Sequence, residues 1–224
     1  SIKRKRSTIT NSWEYLKGTL SEVESLEKLL PKAKSLIEYA ATESEIKALS
    51  GHSPSVLHFA THGYFYKSKK ATDTLKGNQI VFEYAQNPLL RSGLILANGN
   101  FAWQHGSNPY EKEDGILTAL EISNLDLSNT DIVVLSACET GLGDVEESEG
   151  VYGLQRAFKM AGVEIIVMSL WAIPDKETAE FMQLFYTNWK QTNKVRLAFR
   201  NAQKKMSEKY KNDPEKWAAF VMIE

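Results

Sequence analysis

Two histidines lie four residues apart in the stretch "HFATHGYF" (58–65), and a glycine follows the second of them. On a helix this spacing would place both imidazoles on one face, where they could bind a metal ion. The overlapping run "SVLHFA" (55–60) is apolar and too short for a helix, which favours a buried strand. We therefore interpret His58 as a packed core histidine and His62 as the candidate for chemistry, and we expect no metal site.

A cysteine follows a second strand-like run. The segment "DIVVLSA" (131–137) is rich in β-branched residues, and Cys138, the single cysteine of the chain, comes directly after it. If the two strands are parallel neighbours, about 4.8 Å apart, His62 and Cys138 leave the sheet at the same edge. The histidine could then take the thiol proton, because the thiolate is the nucleophilic form. A cysteine after an apolar strand can equally be a small buried hydrophobic residue, but the polar, turn-rich "CETGLGD" favours exposure.

Backbone amides beside these two residues could stabilise a developing negative charge. Gly63 carries no side chain, so a substrate could approach its backbone closely. Its amide and that of Cys138 would then form a site for the oxyanion of an acyl-transfer reaction. The candidate site therefore comprises a His62–Cys138 dyad and two amide donors.

The rest of the chain alternates predicted strands with predicted helices. The run "VEIIVMSLW" (163–171) predicts a third strand, and the amphipathic stretch "GVYGLQRAFKMAG" (150–162) predicts a helix before it. A strand, a helix and a strand of this length form a right-handed crossover between parallel strands. Two further helices are expected at about 175–190 and 195–210, and a last strand within "WAAFVMI" (217–223). The pattern predicts one α/β domain with a mostly parallel sheet between helices.

Shorter signals give further local predictions. Two capping boxes, each with a hydroxyl three residues before a glutamate, predict helix starts at Ser21 and Thr42. Composition alone assigns the remaining segments: a short strand at 35–40, a supporting helix at 113–122, and polar surface excursions at 66–87 and 98–114.

Composition and charge limit the classes of function. The chain has 224 residues, 42% hydrophobic content and a formal net charge of -1, which suits one domain with a buried core and no general affinity for nucleic acid. We expect neither a membrane span, which needs roughly 20 apolar residues, nor a signal peptide. A single cysteine excludes an internal disulfide and suits the reducing cytoplasm. Basic residues near the start predict a solvated tail or linker at 1–12, and the abrupt ends indicate a piece of a longer protein.

Several ordered blocks of the sequence resemble a CHAT domain, a caspase-like module usually joined to tetratricopeptide repeats in bacterial proteins. They are, in chain order, "VLHFATHGYF", "NPLLRSGLILA", "EDGILTALEISNLDLSNTDIVVLSACETGLGD", "EGVYGLQRAFKMAGV" and "SLWAIPDKETAEFM". The resemblance implies a three-layer caspase-like sandwich over residues 13–224, in a clan (caspases, separases, gingipains) that cleaves peptide bonds without a cofactor. It matches His62 and Gly63 to the histidine–glycine pair of the clan, and Cys138 to its nucleophile.

The resemblance also implies a substrate pocket. "SLWAIPDKET" (169–178) is similar to a separase stretch with acidic residues in the pocket for the substrate residue before the cleaved bond, P1. Asp175 matches the later acidic position, whereas Ala172 stands at the earlier one, so the preference at P1 stays open. Asp175 can equally cap the helix that follows Pro174.

Three more residues are candidates for substrate binding. Ser169 and Trp171 end the predicted third strand, which in caspase-like enzymes pairs with an extended substrate. Trp171 could form a wall of the pocket or lie at the edge of the core. Asp144 and the acidic loop "DVEESEG" (144–150) could favour a basic P1 residue, or could simply be solvated.

We therefore predict a cytoplasmic cysteine endopeptidase that cleaves a protein or peptide and is regulated by a partner or an upstream tetratricopeptide-repeat region. The alternative is a catalytically silent caspase-like interaction module in a signalling or defence assembly. A different thiol enzyme or an acyl transferase is disfavoured, because the sequence has no acyl-carrier or nucleotide motif. We expect no direct contact with nucleic acid or a membrane.

Overall fold

A computed structural model of the protein describes residues 12–66, 86–105, 112–136 and 149–224. Within these ranges the chain forms seven helices, and seven strands in two sheets. The helices are α1 (Lys17–Leu29), α2 (Glu43–Lys47), α3 (Gly99–His105), α4 (Ala119–Ser123), α5 (Glu149–Met160), α6 (Asp175–Thr192) and α7 (Val195–Lys209). The strands are β1 (Val56–Phe59), β2 (Gly63–Phe65), β3 (Ser92–Ile95), β4 (Ile116–Thr118), β5 (Ile132–Leu135), β6 (Ile165–Ser169) and β7 (Phe220–Ile223).

The larger sheet has the strand order β1-β5-β6-β7. The first three strands run parallel, and β7 is antiparallel to β6. Strands β5 and β6 are joined through α5, as the predicted crossover requires. The predicted strands at 55–60, 131–137, 163–171 and 217–223 are confirmed, as are the helices that follow the third of them.

Helices cover both faces of this sheet, because the side chains of its strands alternate. In β5, Val133 and Leu135 belong to a core shared with α4 and α5. Ile132 and Val134 belong to a second core on the opposite face, shared with α6 and α7. All four side chains are fully buried. The predicted α/β class, with a mostly parallel sheet between two helical layers, is therefore confirmed.

The smaller sheet is antiparallel, with the order β2-β3-β4. Its first strand begins at Gly63, directly after His62, so His62 lies at the junction of the two sheets. The predicted helix at 113–122 is wrong in its first half, where β4 pairs with β3 and is buried on both faces. Helix α4 starts only at Ala119, behind a capping box in which Thr118 accepts a hydrogen bond from the Glu121 amide.

Two helix-start predictions had different outcomes. The Thr42 capping box is confirmed, with the hydroxyl accepting from the Glu45 amide at 3.2 Å. The Ser21 box is wrong, because α1 begins four residues earlier at Lys17 and Ser21 lies inside it. In the first turn of α1, the Gly18 amide donates to the Asp175 carboxylate. Asp175 belongs to α6, so no local sequence signal could identify this contact.

The weaker composition-based predictions are corrected in part. Residues 35–40 form no strand but contain a 3-10 turn at Glu38–Ala40, whose residues are exposed and offer no face to a sheet. The excursion at 98–114 includes α3, which buries Trp103 in the core of the smaller sheet. Most of the excursion at 66–87 and of the tail at 1–12 lies outside the described residues. In the ranges that the structure describes, no helix has the length and apolar character needed to cross a membrane.

Candidate functional site

The strands that lead to the predicted dyad are parallel neighbours, as expected. Phe59 of β1 pairs with Leu135 of β5, and the Ser136 amide then donates to the Phe59 carbonyl at 3.0 Å. His62 and Cys138 each come three residues after this last pair. Cys138 itself lies outside the described residues, so its contact with His62 stays a prediction.

The His62 residue is held from both sides. Its carbonyl accepts a hydrogen bond from the Ile95 amide of β3 at 2.8 Å. Its Nε2 lies 2.5 Å from the carbonyl oxygen of Glu14, and the Trp13 ring lies against the imidazole with ring centres 5.2 Å apart. Because a carbonyl oxygen only accepts, Nε2 carries a hydrogen in this arrangement. The Glu14 carbonyl, just before α1, therefore accepts a hydrogen bond from Nε2 of the candidate catalytic base.

The backbone N–H of Gly63 points away from the neighbouring strand β3. In an antiparallel ladder, pairs that exchange hydrogen bonds alternate with pairs that do not. Ile95 donates to His62, and Tyr66 donates to Arg91, so these are hydrogen-bonded pairs. By this alternation, positions 62, 64 and 66 are the hydrogen-bonded ones. Gly63, paired with Leu94, is a non-hydrogen-bonded position, so its N–H points away from β3.

Asp175 is the exposed first residue of α6, and its carboxylate accepts a hydrogen bond from another helix, α1. The residue at the N-cap of α6 is Pro174, which offers no side-chain hydrogen bond. Instead Asp175 Oδ2 accepts from the Gly18 amide of α1 at 3.1 Å. A recess of about 110 Å³ lies beside this contact, and Glu22 and Ser136 also line it. The recess is at the carboxyl end of β5, where the resemblance to caspase-like proteins predicts the substrate pocket.

The other predicted substrate-binding residues lie apart from this recess or outside the described residues. Ser169 ends β6, is 1% exposed and pairs with Phe220 of β7. Trp171 packs at the edge of the core beneath α6 and α7, and its Nε1 donates to the Glu215 carbonyl at 2.9 Å. Of the two interpretations of Trp171 from the sequence, a pocket wall or the edge of the core, the structure shows the second. Asp144 is not among the described residues.

A buried polar network beneath the recess was not predicted from sequence. Glu22 of α1 is 4% exposed, and its carboxylate binds His58 Nε2 at 2.9 Å and the Ser136 hydroxyl at 3.2 Å. His58 Nδ1 lies 3.0 Å from the hydroxyl of Tyr186 on α6. Burial raises the pKa of Tyr186, so its phenol stays protonated and can donate to Nδ1. His58 Nε2–H then donates to Glu22, which ties α1 to β1 and to the end of β5.

The sequence signal for this network was incomplete. The apolar neighbours of His58 correctly indicated a packed histidine, and both of its ring nitrogens are bonded. Its partners come from helices 36 and 128 residues away along the chain. One signal for the network was present in the sequence. Glu22 lies four residues before Leu26 and so on the same, buried face of an amphipathic helix, where a glutamate is unusual.

A separate acidic cluster lies at α2 and α4. Carboxylate oxygens of Glu43, Glu113 and Glu121 lie within 4.8 Å of one another. Lys47 Nζ contacts them at 2.6, 2.5 and 2.9 Å respectively, so its ammonium supplies the positive charge at their centre. Burial raises the pKa of Glu43 to about 7, although its hydrogen bond to Lys47 opposes the shift. The cluster joins α2 to α4 and to the loop before β4.

We expect Lys47→Met to destabilise the protein by about 3 kcal/mol near pH 8, because it leaves the buried Glu43 carboxylate without its cation. The folded-state pKa of Glu43 lies above its ordinary value of 4.5, so protonation of Glu43 favours the fold. That contribution is fully present below about pH 4.5 and is lost as the pH rises through about 7. Loss of Lys47 raises the pKa of Glu43 further. Lys47→Met should therefore lose least stability near pH 5, where Glu43 is protonated and needs no cation.

Urea denaturation at the two pH values measures this difference. The matched control is Lys34→Met, which removes an ion pair to Glu45 from a lysine that is 76% exposed. The control should cost less than about 1 kcal/mol at either pH. Equal losses for the two variants, or a loss at Lys47 that does not depend on pH, would contradict the prediction.

The fold and site define an α/β protein of the caspase-like class, with a histidine just beyond one strand of a mostly parallel sheet. A sequence model of the CHAT domain matches residues 4–224, so the chain belongs to the CHAT domain family. This confirms the resemblance found in the sequence.

Curated relatives add the setting in which such domains occur. The chain is 32% identical over 109 residues to tetratricopeptide repeat protein 28 of Mus musculus and of Homo sapiens. The aligned part is 48% of this chain and 4% of each relative, so the chain corresponds to a small part of those proteins. Both relatives are named for tetratricopeptide repeats, which agrees with the expected association. Both are mammalian, so a bacterial origin for this chain stays a prediction.

Proposed function

We propose that this CHAT domain is a cysteine endopeptidase with His62 and Cys138 as its dyad. The observation that carries the proposal is the parallel pairing of β1 and β5, which lead to these two residues with the same spacing. Family membership supports a caspase-like fold, and the direction of the Gly63 N–H supports an oxyanion site. The proposed location is the cytoplasm, and the substrate is a protein or peptide.

The proposed reaction is an acyl transfer through a thioester. His62 takes the thiol proton, and Cys138 Sγ attacks the carbonyl carbon of the scissile bond. The Gly63 and Cys138 amides donate to the oxyanion of the tetrahedral intermediate. Collapse breaks the C–N bond while His62 returns the proton to the leaving amine. Water then hydrolyses the thioester, with His62 as its base, and the reaction needs no cofactor.

Alkylation of the single cysteine tests the dyad directly. We expect iodoacetamide to modify Cys138 near neutral pH, and His62→Ala to slow this reaction about tenfold, because the thiolate loses its proton acceptor. The matched control is His105→Ala, which removes an exposed histidine from α3. Mass spectrometry of the modified peptide gives both rates. Equal rates with and without His62, both in the wild-type background and together with Trp13→Ala, which removes the ring packed on the imidazole, would contradict the dyad.

We further propose a basic P1 residue, held by Asp175 with support from Asp144. A carboxylate and an arginine form a charge-assisted, bidentate pair that is stronger than a neutral hydrogen bond. Asp175→Asn should therefore reduce cleavage after arginine by about tenfold to a hundredfold. Asparagine can still accept from the Gly18 amide, so the contact with α1 should survive. Cleavage after apolar residues, unchanged in Asp175→Asn, would rule out this role.

One observation favours the alternative, a silent interaction module. His62 Nε2 is bonded to the Glu14 carbonyl and cannot accept a proton there in this conformation. In that case a tetratricopeptide-repeat region or a regulatory partner would use the domain as a docking surface. Reactive Cys138 that depends on His62 favours the peptidase, and an inert thiol favours the module.

A further inference from the structure

The segment Trp13–Gly18, which we call the leader segment, contacts two residues of the candidate site, His62 and Asp175. Its backbone contacts the two functional groups that a peptide substrate would need. The Glu14 carbonyl is bonded to His62 Nε2, and the Gly18 amide donates to Asp175 Oδ2. Backbone carbonyl and amide groups are also what an extended peptide presents to a cleft. The leader segment therefore makes contacts of the kind that a bound peptide would make.

An aromatic side chain anchors the leader segment. The Trp13 ring contacts His62 and also Trp103 of α3, with ring centres 5.1 Å apart in the second pair. The Trp13 backbone exchanges two hydrogen bonds with the Asn100 side chain, both of 2.7 Å. This combination fixes the backbone next to the imidazole, so the contact with Glu14 follows from where Trp13 binds.

The other end of the leader segment depends on a close approach. A Cβ atom placed on Gly18 would lie 2.3 Å from Asp175 Cβ, a distance that real side chains do not adopt. Only glycine lets this amide reach the carboxylate. A larger residue at position 18 must separate α1 from Asp175.

The part of α1 beyond the leader segment has anchors of its own. Helix α1 is anchored further along by Leu26 in the core and by Glu22 in the polar network. The leader segment itself is more open, with Tyr15 61% exposed. Together with His62 it lines a groove of about 560 Å³, so it does not fill the space around it.

We propose that the leader segment is an internal ligand of the candidate cleft and that a peptide substrate must displace it. This inference rests on the proposed peptidase function, whose regulation it describes. In the closed state His62 donates to Glu14, and Asp175 is engaged by Gly18. Whatever draws the leader segment away releases both groups at once.

The test measures access to His62 without relying on cleavage. Diethyl pyrocarbonate modifies accessible imidazole nitrogens, and mass spectrometry locates the modified histidine. We expect Trp13→Ala and Gly18→Ala each to raise the rate at His62 on the order of tenfold, because each removes one anchor of the closed state. Tyr15→Ala, in the same segment but facing solvent, should change it less than about twofold. The exposed His52 serves as an internal standard in every sample.

Peptide cleavage by the same variants separates this inference from the proposed function. Faster modification of His62 with faster cleavage supports both. Faster modification with no cleavage by any variant supports the leader segment as a cover and rejects the peptidase. If neither Trp13→Ala nor Gly18→Ala exposes His62, with thermal unfolding showing intact folds, the inference is wrong whatever the cleavage assay gives. If Trp13→Ala does not fold, Gly18→Ala alone decides.

Discussion

Cys138→Ala is expected to abolish peptide cleavage, lowering the rate by at least about 1,000-fold. Alanine has no group that can form the thioester, and water alone attacks a peptide bond far more slowly. His62→Ala should cost nearly as much, and the double variant little more, because in the proposed reaction the two residues act in one step.

Steady-state kinetics on an unstructured peptide measure the loss, and thermal unfolding provides the control. Cys138 follows the end of β5 and is expected at the rim of the sheet, where a small change in volume costs little stability. Cys138→Ala should therefore unfold at nearly the wild-type temperature. Undiminished proteolysis by this variant would eliminate Cys138 as the nucleophile.

Glu22→Ala is expected to reduce the free energy of unfolding by about 3 kcal/mol, a loss similar to that expected for Lys47→Met near pH 8. Glu22 is 4% exposed, and its removal leaves the His58 ring and the Ser136 hydroxyl without their shared acceptor. Glu22→Gln should cost less, because its carbonyl oxygen can still accept from His58.

Urea denaturation measures this effect, with Glu24→Ala as the matched control on the same helix. Glu24 is exposed, so its substitution should change the free energy of unfolding by no more than about 0.5 kcal/mol. A loss in Glu22→Ala as small as in the control would show that solvent or a shifted side chain replaces the carboxylate. The network would then not be what holds α1 on the sheet.

The main sheet could be predicted because its signals are local. The segments that form β1, β5 and β6 are apolar runs of four or five residues between turns, and the amphipathic stretch of α5 separates two of them. Such runs have few alternatives to a buried parallel strand. The resemblance to CHAT domains then gave the order of functional residues along these strands.

The parts that could not be predicted depend on contacts between distant residues. The first turn of α1 is bonded to Asp175, 157 residues after Gly18. Strand β4 has three residues, too few for a periodic pattern, and it is recognised only by its pairing with β3. The leader segment and Glu22 act on His62 and His58 through space, so no spacing in the sequence indicated either contact.

The junction at His62 has a mechanical consequence. Residues 60–62 link β1 in one sheet to β2 in the other, and the His62 carbonyl is bonded to Ile95 of the smaller sheet. Ser136, which leads to Cys138, is bonded to Phe59 of the larger sheet. A rigid-body rotation of one sheet against the other would therefore change the separation of the imidazole and the thiol while leaving the strand pairing within each sheet intact. A displacement of about 1 Å between reacting groups is enough to cost roughly 100-fold in rate, so in the proposed peptidase small relative motions of the two sheets would control the rate of cleavage.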